Sequence, residues 1–363
     1  MSAVPSAAPR RFRAALSPGV WMPLATVAAA LLVGLVLVAL AGVKMLDALA
    51  AFADGAWGSG YAIGASLNRA TALALVAIGF VFANRAGLTN VGGEGQIAVG
   101  GIVATAIAIH AGAAQLPGPL AWMVPLLLAA LAGGLWGAVA GALKVKVGTN
   151  EVISTLLLSF VGVWLLYWCV QSVNLLRQPM TSSATLPESL DIPEATHVPM
   201  LFADGGVPMH AGVPIVLVLA AVVALLLSRG AIGMQLTAVG MNPVAARRAG
   251  IGIGSSVMLA MFVAGAFAGL AGGFMLQGEQ FVLRDRFSSG YGFDGLVVGL
   301  LARGSMKGVL ASALLFGFLR SGGIQMELVA GVPSAIVLLV QGIVILALAG
   351  AAHWLPRQQT GSH

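Results

Sequence analysis

Ala83-Asn84-Arg85-Ala86-Gly87-Leu88-Thr89-Asn90-Val91-Gly92-Gly93-Glu94-Gly95-Gln96 stands between two apolar runs, near 69–83 and 96–113. Each run approaches the roughly 20 residues that a helix needs to span a bilayer core. The break between them holds four glycines, several amides and a carboxylate. A plain water-facing turn does not need that composition. Glycines let the backbone turn tightly and let other groups approach, so Asn90, Glu94 and Gln96 are candidates to present hydrogen-bonding groups toward a solute path. The other reading is a cytoplasmic turn with polar helix ends.

Outward from this stretch the same grammar repeats. Of 363 residues 59% are hydrophobic and only 8% charged, against about a quarter charged in soluble domains. That excludes an ordinary cytosolic protein. Glycine, at 49 residues, exceeds the usual ~7%, and the excess sits inside apolar segments, as in helices packed within lipid. Apolar runs lie near 20–43, 69–83, 96–113, 120–143, 151–173, 213–228, 256–277, 292–302, 308–320 and 333–350. The expected fold is therefore all-α: a polytopic membrane protein with about ten transmembrane helices, some short or broken. The runs 292–302 and 308–320 are the short ones, a pattern that other protein or a water-filled cavity must support at membrane depth. A secretory leader is the alternative for the first run, after Arg10, Arg11 and Arg13, but that run exceeds the usual 7–15-residue apolar region.

With residues 1–19 and 351–363 as cytoplasmic tails around one membrane domain, 20–350, twelve of the eighteen Lys and Arg residues fall inside. Lys44, Arg69, Arg177, Arg284, Arg286 and Arg320 fall outside. The positive-inside rule thus puts both termini in the cytoplasm. The loop 174–212 is then outside and 229–255 is a cytoplasmic loop. The net charge of +6 follows from orientation, since the basic residues are scattered at run ends and make no face for nucleic acid. Lone Cys169 and five scattered histidines indicate neither a disulfide framework nor a metal site.

Three acids remain near or within the runs: Glu94, Glu151 and Asp294. Asn150 reads as an N-cap with Glu151 in the first helical turn, and Asp294 sits in the first turn of a short run beside Tyr291 and Phe293. Helix capping and dipole compensation explain these residues; a place on the solute path is the functional reading of Asn150, Glu151 and Asp294. Between the sixth and seventh runs, Asn242 reads as N-cap, Pro243 as first helical residue and Gly250 as the stop. In that two-turn helix Ala245, Ala246 and Ala249 let a partner surface approach and Arg247 and Arg248 supply charge; a solvated connecting helix is the plainer reading.

Taken together, Asn84–Gly87 through Gly93–Gln96, Asn150–Thr155, Gly240–Ile251 and Gly292–Gly295 followed by Gly299–Gly304 resemble the permease subunits of bacterial nucleoside and simple-sugar ABC importers, relatives of ribose and branched-chain amino-acid permeases. Gly93 departs from the pattern, where a bulkier apolar residue is expected, and so does Gly299, where alanine is expected. The loop 174–212 looks like that of the longer of two paralogous permeases. The resemblance implies a pore subunit in the bacterial inner membrane that pairs with a second homologous permease. It also implies a cytoplasmic ABC ATPase docked through 242–250 and a periplasmic or lipid-anchored substrate-binding protein. No cofactor is expected in the chain itself, since ATP and Mg would be used by the partner ATPase. Lys44, Lys144, Lys146 and Lys307 are followed by Met, Val, Val and Gly, so no phosphate-binding loop occurs. Rival readings are an ion-coupled secondary transporter using Glu94, Glu151 or Asp294, a passive channel, and an intramembrane enzyme, for which neither HExxH nor GxSxG occurs.

Overall fold

The computed structural model describes Ala29 and residues 32–181, 186–202, 205–333, 335–343 and 347. The two expected tails, the start of the first run, Asp204 and the end of the last run lie outside them. The chain divides into two units, one of residues 1–52 with 323–363 and one of 53–322. In the first, Val38, Ala48 and Val332 form a small buried cluster flanked by Met326 and Val337.

The order of elements is α1 (Met45–Trp57), α2 (Gly60–Arg85), α3 (Gly93–His110), α4 (Leu120–Val147), α5 (Glu151–Gln171), α6 (Gly212–Arg229), α7 (Ala231–Met241), α8 (Pro243–Arg248), α9 (Ile253–Met275), a π-turn (Leu276–Gln280), α10 (Tyr291–Leu301) and α11 (Met306–Ala330). The strands β1 (Met200–Leu201) and β2 (Met209–His210) pair antiparallel between α5 and α6. The protein is an all-α, multi-pass membrane protein. Among the described residues six helices are long and apolar enough to cross a membrane: α2, α4, α5, α6, α9 with its π-turn, and α11. That is fewer than the ten segments read from hydropathy: the runs 20–43 and 333–350 lie partly outside the described residues, the run 96–113 is α3, whose hydropathy is lowered by its polar first turn, and α10 spans only 11 residues.

The expected short segment 308–320 is a correction. It belongs to α11, 25 residues long, and what resembled its end is the polar group Arg320-Ser321 held inside the protein. Arg69 and Arg320, placed in outside loops by the charge count, lie within α2 and α11, and Glu279 lies in the π-turn.

Local chemistry sets the helix ends. The Ser59 hydroxyl accepts from the Ala62 amide at 3.1 Å to start α2, and Asn150 accepts from Val152 at 2.9 Å to start α5. Gly148, at φ +75°, closes α4 in the left-handed conformation that glycine takes without strain. Largely buried, α2 is packed by α6, α9 and α10. Helices α3, α4 and α9 cross backbone to backbone at Gly100, Gly133 and Gly269, where a Cβ on any of them would overlap a neighbouring main chain. Such contact replaces side-chain interdigitation where helices cannot gain from excluding water.

The loop after α5 is tied to the C-terminal end of α9. Ile192 donates to the Phe281 carbonyl, Val198 to that of Gln277, and the Gln277 amide to the carbonyls of Trp122 and Thr196. His210 is buried, stacked on Phe274 with ring centroids 5.8 Å apart. Its Nδ1 accepts from the Gly212 amide at 3.1 Å, so the ring is the neutral Nε2–H form, and its own amide donates to Asn68 Oδ1. Burial pushes its pKa down to about 4. A base depressed below its unfolded value of about 6.5 is neutral in the fold but takes a proton on unfolding. Stability is therefore fully present above about pH 6.5 and is lost as the pH falls toward about 4, by ~3 kcal/mol. His210→Asn, which keeps an acceptor but does not titrate, is expected to flatten this slope in melting curves recorded between pH 7.5 and 4.5. An unchanged slope would show that another group carries it.

Candidate functional site

Residues 86–92 do not leave the helix layer. Gly93 packs on Val76, nine residues before Arg85 and so roughly 13 Å along α2 from its Arg85 end at 1.5 Å per residue. Gly95 packs on Ser159, well inside α5. Helix α3 thus begins within the protein and runs away from the Arg85 end. Helix α10 begins at the same height, with Gly292 against Glu94 and Gly295 against Val76, and runs the other way, with Gly299 against Phe80. The two N-termini meet at one side chain.

That side chain is Glu94. One carboxylate oxygen accepts from the Gly290 amide and the other from the Gly292 amide, each at 2.8 Å. Glu94 is itself in the first turn of α3, so one buried carboxylate faces the positive ends of two helix dipoles. Charge-assisted bonds of this kind contribute about 1.5–3 kcal/mol each. The two departures from the family pattern follow from this packing: a Cβ at Gly93 would press on the Gly292 carbonyl, and one at Gly299 would enter the Phe80 ring.

The structure brings Asn90 and Gln96 together. Their side-chain amides pair reciprocally, at 2.9 and 3.2 Å, and Asn90 Oδ1 also accepts from the Gly92 amide. The Val91 amide donates to Thr155 Oγ1, which fastens this loop to α5. Asn150 and Glu151 lie at the start of α5, where Glu151 forms an ion pair with Lys144 at 2.6 Å and its carbonyl accepts from the same Thr155 hydroxyl that holds Val91. Asp294 is within electrostatic range of Glu94 and pairs with Arg320 at 2.5 Å. Arg320 also donates to the Ser289 carbonyl and lies 3.9 Å from the centroid of the Tyr291 ring. All six residues singled out for the path thus carry intramolecular partners.

Sequence reading missed Arg320, Arg69 and Glu279 as parts of this region, and named Tyr291 only as a neighbour of Asp294. The signal was available: a basic residue in an apolar run requires an acidic partner.

At the Arg85 end, Pro243–Arg248 is helical as read from the sequence. Asn242 accepts from the Ala245 amide at 3.0 Å, and Gly250 stops the helix at φ +82°. Ala246 is buried beneath it, while Val244, Ala245, Arg247 and Arg248 are exposed. Helix α7, not anticipated, leads into it and rests on the 86–92 loop, with Gly240 against the backbone of Arg85, Ala86 and Gly87. Between the Arg85 end of α2 and α7 opens a pocket of about 360 Å³ lined by Asn84, Arg85, Thr237, Met241 and Arg303 among others. Among the described residues no three His, Cys, Asp or Glu side chains are grouped to hold a metal.

A broken-helix core beside a capped, exposed basic helix is a transporter's layout, and the comparisons agree. The family model described as branched-chain amino acid transport system / permease component matches residues 62–349. The chain belongs to this permease family. The permease is 31% identical to a guanosine ABC transporter permease of Bacillus subtilis, over 91% of this chain and 93% of the relative. It is 34% identical to a glucose ABC transporter permease of Haloferax volcanii, over 90% and 86%. Against a nucleoside ABC transporter permease of Lactococcus lactis it is 31% identical, over 81% and 80%. No solved structure matches the permease significantly. It is thus an ABC transporter permease by family, and its relatives are transport subunits.

Proposed function

We propose that this permease is the pore-forming subunit of an ABC importer that moves a nucleoside, or a simple sugar, across the bacterial inner membrane by alternating access. The observation that carries the reading is α8: a two-turn helix, capped at both ends, that buries Ala246 alone and leaves Val244, Arg247 and Arg248 exposed. Such an element suits a partner ATPase, which would use ATP and Mg outside this chain. A second homologous permease and a periplasmic or lipid-anchored binding protein complete the assembly. Guanosine, nucleosides and glucose, named for the relatives, share adjacent hydroxyl groups on a neutral frame, and we take that as the substrate class.

In this reading Glu94 and Asp294 shape the path by fixing the start of α10. Asn90 and Gln96 brace the loop beside it, and Asn150 and Glu151 fix the inner end of α5. Ion coupling is not favoured, since Glu94, Glu151 and Asp294 are already engaged by amides, Lys144 and Arg320. Bistable packing of the glycine crossings would permit the two access states.

Uptake of radiolabelled guanosine and glucose, in cells lacking the chain and in cells restored with it, tests the proposal in the presence of the ATPase and binding protein. ATP-dependent uptake on restoration is expected. Concentration of solute by the purified chain alone would overturn the reading.

A further inference from the structure

Arg69, Glu279, Tyr291, Asp294, Arg320 and Ser321 come from α2, the π-turn, α10 and α11 and gather in one place: Arg69 bonds Ser321, Arg320 bonds Asp294 and covers the Tyr291 ring, and Gly278, next to Glu279, packs on His210, whose amide donates to Asn68, next to Arg69. Arg320 is fully engaged, by Asp294, the Ser289 carbonyl and the Tyr291 ring. The other opposed pair is not. Arg69 donates from one nitrogen to Ser321 Oγ at 2.7 Å and, among the described residues, to nothing else. The Glu279 side chain, by contrast, makes no hydrogen bond and no ion pair within 4 Å among the described residues, while Gln280 beside it donates to the Phe287 carbonyl. Both residues keep part of their surface accessible.

Packing alone gives no reason for this. Opposite charges withdrawn from water gain most by closing to contact, and here each holds open hydrogen-bonding capacity toward the other. The π-turn carries Glu279 away from the position that a regular helical turn would give it, a device frequent at functional sites. Arg69 and Glu279 also lie farther from the Arg85 end than the junction of α3 and α10, so a solute arriving from the side of the 172–211 loop meets them first.

We propose that Glu279 and Arg69 form the recognition pair for two adjacent hydroxyl groups of the transported solute. The two carboxylate oxygens accept from neighbouring solute O–H groups, and the guanidinium donates to the oxygen of one of those hydroxyls. The pair is neutral overall, which suits an uncharged solute. This inference rests on the reading of the permease as an importer of nucleosides or sugars.

The test uses the complete transporter in liposomes, with guanosine and 2′,3′-dideoxyguanosine each supplied at saturating binding protein. The binding protein is common to all samples, so comparing the guanosine to dideoxyguanosine uptake ratio between wild type and Glu279→Gln cancels its own preference. The ratio is expected to fall roughly tenfold, since a site built to bond hydroxyls discriminates strongly against their loss. Glu279→Asp, which keeps the charge but shortens the reach, is expected to fall between, and it carries the test if Glu279→Gln does not assemble. Glucose against 2-deoxyglucose, run in parallel, assigns the hydroxyls to a hexose if only that ratio falls. Ratios within twofold of wild type in both arms would overturn the inference while leaving the importer reading intact. A wild-type complex carrying neither guanosine nor glucose would overturn both.

Discussion

Glu94→Gln is expected to reduce uptake at least tenfold and to lower the stability of the permease by roughly 3 kcal/mol. The glutamine oxygen can still accept from one amide, but its NH2 then faces the other amide donor of the Gly290 and Gly292 pair. One charge-assisted bond is lost and a buried N–H is left without an acceptor. The favourable field of a full negative charge at two helix starts is lost as well. Gly292→Ala should reproduce the effect from the opposite side, because its Cβ would collide with the backbone of Glu94. Uptake in membrane vesicles with the native partners, and thermal melting of the purified complex, measure the two parts. A glutamine variant within twofold of wild type in uptake, with an unshifted melting point, would remove the junction from the mechanism.

The second large effect is expected at α8. Reversing Arg247 and Arg248 together to glutamate should leave the protein in the membrane, since both side chains are exposed and neither supports the fold. It should abolish uptake while the ATPase still hydrolyses ATP. Like-charge contact at an interface built for cations costs several kcal/mol, so co-purification of the ATPase should weaken about a hundredfold or more. Arg247→Lys with Arg248→Lys, which keeps the charge, should retain most of the coupling. Normal uptake by the glutamate pair would refute a docking role for this helix.

What could be read from the sequence, and what could not, divides by range of interaction. The bounds of α8 were legible because Asn242, Pro243 and Gly250 act within one or two turns. Asp294 in the first turn of a short helix was legible for the same reason. Arg320 misled the reading, because hydropathy counts a charge as an end while its partner Asp294 lies 26 residues away. Helix α7 was hidden by Gly233, Gln235 and Gly240, which suggest a loop; Gly240 is there to admit the backbone of residues 85–87. The convergence on Glu94 depends on Gly290 and Gly292, nearly 200 residues away, and no local pattern announces it. The polar character of 83–96 was plain, but whether its groups faced a solute or one another was a tertiary question.

The seat of Gly240 on Gly87 has a mechanical consequence. Side chains at a joint absorb displacement by changing rotamer, whereas main chain resting on main chain has almost no play. In the proposed importer, a push received at Val244 of α8 would pass through Asn242 to the rod of α7 and reach residues 85–87, six residues short of the start of α3, with little loss. On that proposal the linkage would work as a pushrod bearing on a hinge, and a bulky substitution at Gly240, which meets the backbone of residues 85–87, would disconnect motor from gate.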